Sequence, residues 1–189
     1  VYSSFLQRAY DQLNHDVCRM NLPVVIGVDR CSIIGEDGDS HQGVFDISYM
    51  NSLPNMVIAE GKNSSQIDAL LDLAFSQTSP FAIRYPRGSI EYNCDHKCDV
   101  TLGKWEFVVN NIDSKVSIIT YGNDVCKIEK DINDNHLPYN LINALFIKPI
   151  DEESLVSIGK LNKPIVVYTN DMIKGGWGDS LLECLNKNH

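Results

Sequence analysis

The chain has 189 residues, enough for one or two domains, and its 43% apolar and 22% charged content is that of an ordinary globular protein rather than a disordered one. A formal net charge of −9 argues against general binding to nucleic acid or to an anionic membrane, because such surfaces need a positive field; it leaves room for a local basic pocket holding a small phosphate. No apolar run reaches the ~20 residues of a membrane span, and the opening "VYSSFLQRAYDQ" is not expected to be a signal peptide, since no basic region precedes an apolar one.

The first predicted element is a helix over residues 3–19. Ser3 or Ser4 can cap it, and Phe5, Leu6, Ala9, Leu13, Val17 and Met20 recur at three- and four-residue steps. "PVVIGVD" (23–29) is a β-branched apolar run, expected to be a strand buried on both faces. A turn-rich segment follows, "RCSIIGEDGDSHQGVFD" (30–46), which crowds Glu36, Asp37, Asp39 and His41 onto one loop. A short helix is expected at 44–50, a strand at "NMVIAE" (55–60), a helix at 64–77 capped by Ser64 or Ser65, and a strand at "PFAIRYP" (80–86). Alternation of this kind implies a parallel α/β sheet, whose ligands bind at the carboxyl ends of strands. The polar loop and "RYPRG" both lie at such ends and can share one face.

From about residue 88 the pattern lapses into a polar stretch with at most one short hairpin, expected to be an interdomain linker. A second α/β unit follows: strand 116–122, helix 123–133, strand 139–144, helix 151–160, strand 164–169, then a glycine-rich turn "KGGWGD" and a helix at 179–186. The expected fold is therefore two successive parallel-sheet α/β units, residues 1–92 and 93–189. Six scattered cysteines are expected to be reduced thiols of an intracellular protein. "CDHKC" (94–98) has no second Cys/His pair at zinc spacing and is expected to be a surface loop.

Arg30, Arg84 and Arg87 lie at or near strand carboxyl ends. An arginine fork matches phosphate or carboxylate oxygens bidentately, so two of them together would clamp an anion; the alternative is ion pairing on the surface of an acidic protein. Pro86 and Gly88 give Arg87 a defined turn. His41 is a candidate for proton transfer, against a plain turn histidine. Asp37 is a candidate to orient it, against an Asp-Gly turn residue. The acids do not fit calcium-loop spacing, and no G-x-S-x-G, Walker A or G-x-G-x-x-G occurs. Phe5 can face a flat ring, although that spacing more often marks core.

"VYSSFLQRAYDQLNHDV", "DRCSIIGEDGDSHQGVFDISY" and "FAIRYPRG", in this order and spacing, resemble the 1-deoxy-D-xylulose-5-phosphate synthases, thiamine-diphosphate enzymes of the transketolase superfamily. The resemblance runs over essentially the whole chain and is strongest in the first 90 residues. It implies a decarboxylating condensation of pyruvate with glyceraldehyde 3-phosphate in isoprenoid-precursor, thiamine and pyridoxal biosynthesis. It also implies thiamine diphosphate and Mg2+ as cofactors, a homodimer, and a bacterial cytoplasm or plastid stroma as the setting. Residue by residue, Phe5 matches the aromatic stacked on the aminopyrimidine, and Arg8 lies in the same cofactor-facing helix. Tyr2, Arg30 and Arg87 match the positions holding the phosphorylated aldehyde; His41 matches the active-site histidine, with Asp37 beside it.

The same resemblance implies elements to be sought elsewhere. A glutamate on an "AEQH"-like segment belongs before Val1, and a "GDG…N" magnesium–diphosphate site belongs to an earlier, N-terminal domain. Cys31 and Ser32 stand where the family has a small residue and a glycine, and "YTND" (168–171) replaces an acidic stretch. The chain is thus expected to be the later part of a pyrimidine-binding domain plus most of a C-terminal domain, and inactive alone. A subunit of a split enzyme and a non-catalytic interaction module are the alternatives.

Overall fold

The structure, a computed structural model, describes residues 1–88 and 98–188. Three apolar runs make the parallel part of a first sheet: β1 (Val25–Asp29), β2 (Val57–Glu60) and β3 (Phe81–Tyr85), in spatial order β1-β3-β2. β2 and β3 are buried almost throughout, as strands covered on both faces must be. β1 is not, which corrects the expectation for 23–29: it lies at the sheet edge, and Gly27 and Val24 are exposed. Beside its carboxyl end runs the start of the chain. The Val1 ammonium donates to the Gly27 carbonyl, the Asp29 N–H donates to the Val1 carbonyl, and Tyr2 bridges Asp29 in parallel.

The helical segment α1 (3–18) is continuous but irregular. It opens as an α-turn (Ser3–Leu6) and a 3-10 turn (Gln7–Ala9), and it closes as a π-helix (Leu13–Cys18). Tyr2, not a serine, is its N-cap residue. Its phase drifts accordingly: Leu6 and Leu13 are buried, whereas Phe5 and Met20 are exposed. α2 (Asp46–Asn51) follows the polar loop. α3 (Ser64–Ser76) crosses between β2 and β3 and is capped by the Asn63 side chain accepting from Gln66 N–H, not by Ser64 or Ser65.

The second sheet comprises β4 (Glu106–Val109), β5 (Val116–Thr120), β6 (Tyr139–Asn143) and β8 (Ile165–Val167), in order β4-β6-β5-β8. β5 pairs in parallel with both β6 and β8, and α4 (Asp124–Asp134) makes the β5–β6 crossover. The stretch taken as linker supplies β4, antiparallel to β6, and the buried Trp105. A short strand that the sequence pattern hides, β7 (Phe146–Lys148), leaves this unit and adds antiparallel to β2 of the first sheet. Both sheets are therefore mixed, predominantly parallel. α5 (Glu152–Gly159) is capped by Asp151, and α6 (Trp177–Lys187) begins two residues earlier than expected because Trp177 is core.

The units share one apolar core. Trp177 is fully buried, packs edge-on to Trp105 and Tyr121 at 6.0 and 5.2 Å between centroids, and donates from Nε1 to the Ile147 carbonyl. Trp105 Nε1 donates to the Phe146 carbonyl. Apart from Cys98, "CDHKC" lies outside the described residues; Cys18, Cys31, Cys98 and Cys184 are free thiols. No helix among the described residues is long and apolar enough to cross a membrane.

Candidate active site

The parallel strands of the two sheets turn their carboxyl ends toward a common cleft of ≈ 460 Å³. The loop after β1 (Cys31 to Glu36), Glu60 at the end of β2, Arg87 after β3 and the Tyr121–Asp124 turn after β5 all line it. Of the residues singled out in the sequence, Arg87 lines it, and Asp37, Arg30, Tyr2, Phe5 and His41 are linked to Arg87 through side-chain contacts. After β1 the backbone reverses sharply: Arg30 and Ser32 both sit in the left-handed region, at φ +57° and +74°. Such positions cost a non-glycine residue on the order of 1 kcal/mol and concentrate at functional sites. Ser32 and Gly43 then exchange backbone hydrogen bonds of 2.8 and 2.9 Å, closing the loop at its base. No other residue fits at 43, since a Cβ would lie 2.2 Å from the Arg30 carbonyl oxygen.

Asp37, at the tip of the loop, joins both arginines. Arg30 Nη1 donates to its two oxygens at 2.9 and 2.8 Å, and Arg87 Nη1 donates to Oδ1 at 2.9 Å. Arg87 also pairs with Glu36 at 3.0 Å. The hydrogen bond from Arg30, with the charge of Arg87 added, holds the Asp37 carboxyl below its ordinary range, and Arg30 is in turn held more firmly charged by Asp37. The guanidinium of Arg30 lies 4.4 Å above the Tyr2 ring. Tyr2 stacks on Phe5 at 5.6 Å with 8° between planes, and Phe5 meets the His41 ring edge-on at 5.1 Å. His41 Nδ1 is 2.9 Å from Ser40 Oγ. A continuous contact path thus runs Arg87–Asp37–Arg30–Tyr2–Phe5–His41. Arg8 stands exposed in α1, outside that path.

The sequence posed anion clamp and ion pair as alternatives. For Arg30 and Arg87 the structure shows ion pairing: the two guanidinium groups converge on one carboxylate of the same chain. With Glu36, and with Asp29 4.0 Å from Arg30 Nε, carboxylates outnumber the two guanidinium groups.

Arg84 departs from the expectation. It is fully buried beneath the site, donates from Nε and Nη2 to Asp46 at 2.8 and 3.2 Å, and pairs with Glu60 through Nη1. It therefore takes no part in any clamp. Burial works against its charge, but Asp46, Cys31 and Glu60 more than offset this; burial pushes the Glu60 carboxyl above its usual range, Arg84 opposing. The triad was legible in outline: "VIAE" and "FAIRY" place opposite charges at matching ends of adjacent buried strands, and Glu60 and Arg84 are register partners. Gln42, whose amide fills the loop, carried no comparable signal.

Phe5 is 42% exposed, so part of its ring is open to a flat partner. Among the described residues, no group of three or more metal-ligating side chains comes together.

Comparison with known proteins agrees with this layout. Residues 1–92 match the model of the transketolase pyrimidine-binding domain, and residues 103–189 match that of the transketolase C-terminal domain. The chain is 45% identical over 185 residues to the 1-deoxy-D-xylulose-5-phosphate synthase of Clostridium tetani, covering 96% of this chain and 30% of that protein. It is 44% identical over 196 residues to the same enzyme of Listeria innocua, with 100% and 30% coverage. The chain thus spans about 30% of the length of the relatives it matches. Among solved structures, a split-gene transketolase described as an inactive beta4 tetramer superposes with TM-score 0.86 at 24% identity, over 100% of this chain and 61% of that one. A transketolase variant from Pichia stipitis complexed with fructose 6-phosphate gives TM-score 0.74 at 15% identity, over 93% of this chain and 27% of that one. These two likenesses speak to fold.

Proposed function

From a chain that belongs to the transketolase family, with its pyrimidine-binding and C-terminal domains, we propose that it is part of a 1-deoxy-D-xylulose-5-phosphate synthase. Its site then takes glyceraldehyde 3-phosphate as acceptor for a two-carbon unit from pyruvate. The observation that carries this reading is the pair of arginines held on Asp37 beside Tyr2 and His41. Arg30 and Arg87 bind the aldehyde's phosphate, and the double pairing to Asp37 holds their forks in place before it arrives. His41, anchored against Phe5, holds or moves a proton at the aldehyde oxygen.

The residues present fit the pyrimidine end of thiamine diphosphate. Phe5 offers the partly open aromatic face for its ring, and Arg8 stands on the same helical segment. When bound, that cofactor supplies the electron sink for decarboxylation. Residues for its diphosphate and for Mg2+ belong, in this reading, to another part of the enzyme, which acts as a homodimer.

The test is turnover. A full-length enzyme carrying this chain should release CO2 from pyruvate in a manner dependent on glyceraldehyde 3-phosphate, whereas residues 1–189 alone should not, because positional and electrostatic terms worth many kcal/mol are lacking. Release by the full-length enzyme that ignores the aldehyde would refute the assignment, and turnover by the isolated chain would refute its dependence on a second part. A second part that is a separate polypeptide is a variant of this reading. Copurification from the source cell would reveal it.

A further inference from the structure

The loop that carries Asp37 and His41 has almost no apolar interior. Ile33 and Glu36 point to solvent, and only Ile34 is buried. Its centre is filled instead by one carboxamide. The Ile34 N–H donates to Gln42 Oε1 at 2.6 Å, and Gln42 Nε2 lies 2.9 Å from the Ile34 carbonyl, 3.2 Å from that of Asp37 and 3.1 Å from that of Gly38. Those carbonyls belong to the residue that joins the two arginines, to Gly38 after it and to Ile34 three residues before it. At its other end Gln42 is followed by the Gly43–Ser32 bridge and preceded by His41, whose own N–H donates to Gly38. Without that carboxamide the Ile34 N–H and the Asp37 carbonyl would turn to water, and the Ile34 and Gly38 carbonyls would keep only the Asp37 and His41 N–H groups, with several backbone shapes open to the loop.

We propose that Gln42 is the positioning residue of this site: its side chain, acting as a surrogate strand, fixes the loop so that Asp37 meets Arg30 and Arg87 while His41 meets Phe5. For the loop's shape the claim stands on geometry alone; for catalysis it rests on the functional reading above. Glutamine suits the place because it presents an acceptor to Ile34 and two N–H donors, one of them shared, to three carbonyls. Glutamate has the same shape, but when ionised it offers only acceptors and faces those oxygens with a charge. When protonated it regains one donor.

Two variants test this. In residues 1–189, Gln42→Ala should cost the Ile34 amide about tenfold or more of its hydrogen-exchange protection while β3 amides stay protected, and the Asp37 carboxyl should titrate closer to its ordinary value. Unchanged Ile34 protection and an unchanged Asp37 titration would overturn the proposal, whatever reaction the enzyme performs. In the full-length enzyme, Gln42→Glu should add an acid-side recovery, with activity relative to wild type rising as pH falls through the range of the new carboxyl, and Gln42→Ala should show none. Equal pH profiles for wild type and Gln42→Glu would also overturn it. Should Gln42→Ala fail to fold, the amide and titration measurements are read on Gln42→Glu above and below that range. A wild-type enzyme indifferent to the phosphorylated aldehyde would sink the functional reading and leave the loop measurement to decide on Gln42.

Discussion

Asp37 faces two guanidinium groups, and that sets how the site answers to acid. Because Arg30 bonds it and Arg87 adds its charge, the native carboxyl gives up its proton more readily than an unfolded one. The contribution of this pairing to folding is therefore complete above the ordinary aspartate value of 3.8 and is lost only as pH falls through the lowered native value. A carbon-detected NMR titration of residues 1–189 should place the Asp37 midpoint below 3.8; a midpoint at or above it would mean that the arginines do not hold this residue in solution. Arg30, His41 and Arg87 stood out as candidates because titratable and forked side chains near strand ends are costly ornaments for a plain connector, whereas Tyr2 was named only through the family resemblance. That Asp37 would occupy the clamp was not legible, since sequence gives no distance between a loop tip and a turn fifty residues on.

At the scale of elements, the buried triad of Arg84, Asp46 and Glu60 ties β3 to α2 and β2 directly under the site. Two carboxylates share one guanidinium in a volume closed to water, so removing the cation is expensive. Arg84→Met should destabilise the chain by about 3–5 kcal/mol in urea unfolding, the usual cost of orphaning buried charge; a change below about 1 kcal/mol would show that water reaches the triad. Glu60 adds a pH signature of opposite sense to that of Asp37. Its native carboxyl holds its proton more tightly than the unfolded one, so its contribution is full below about 4.5 and is lost as pH rises through the raised native value. Melting temperatures of wild type should fall relative to Glu60→Gln as pH climbs past that range, whereas parallel curves would contradict the burial of an ionisable Glu60. The long elements were readable from their period, but the serine caps expected for α1 and α3 give way to Tyr2 and Asn63. β1 was misjudged because an apolar run looks the same at a sheet edge as in its middle, and β7 was missed because three residues beside β6 carry no period of their own.

At the scale of the molecule, the two sheets are one folding body around Trp105, Tyr121 and Trp177. Trp177→Ala should cost about 3–5 kcal/mol and lower the stability of both sheets together; separate unfolding of the two halves in the wild type would contradict a shared core. The alternation of strands and helices predicted two α/β units, but not that the second would lend a strand to the first, because strand exchange between sheets depends on long-range packing. The shared core keeps the carboxyl ends of both sheets around one cleft lined by Arg87, to which Asp37 joins Arg30. The most direct test of that arrangement uses the full-length enzyme and two acceptors, glyceraldehyde 3-phosphate and unphosphorylated glyceraldehyde. Arg87→Ala should raise KM for the phosphorylated acceptor by about one to two powers of ten, the worth of a charge-assisted contact, with KM for pyruvate and use of plain glyceraldehyde little changed. An undiminished preference for the phosphorylated acceptor would contradict the account.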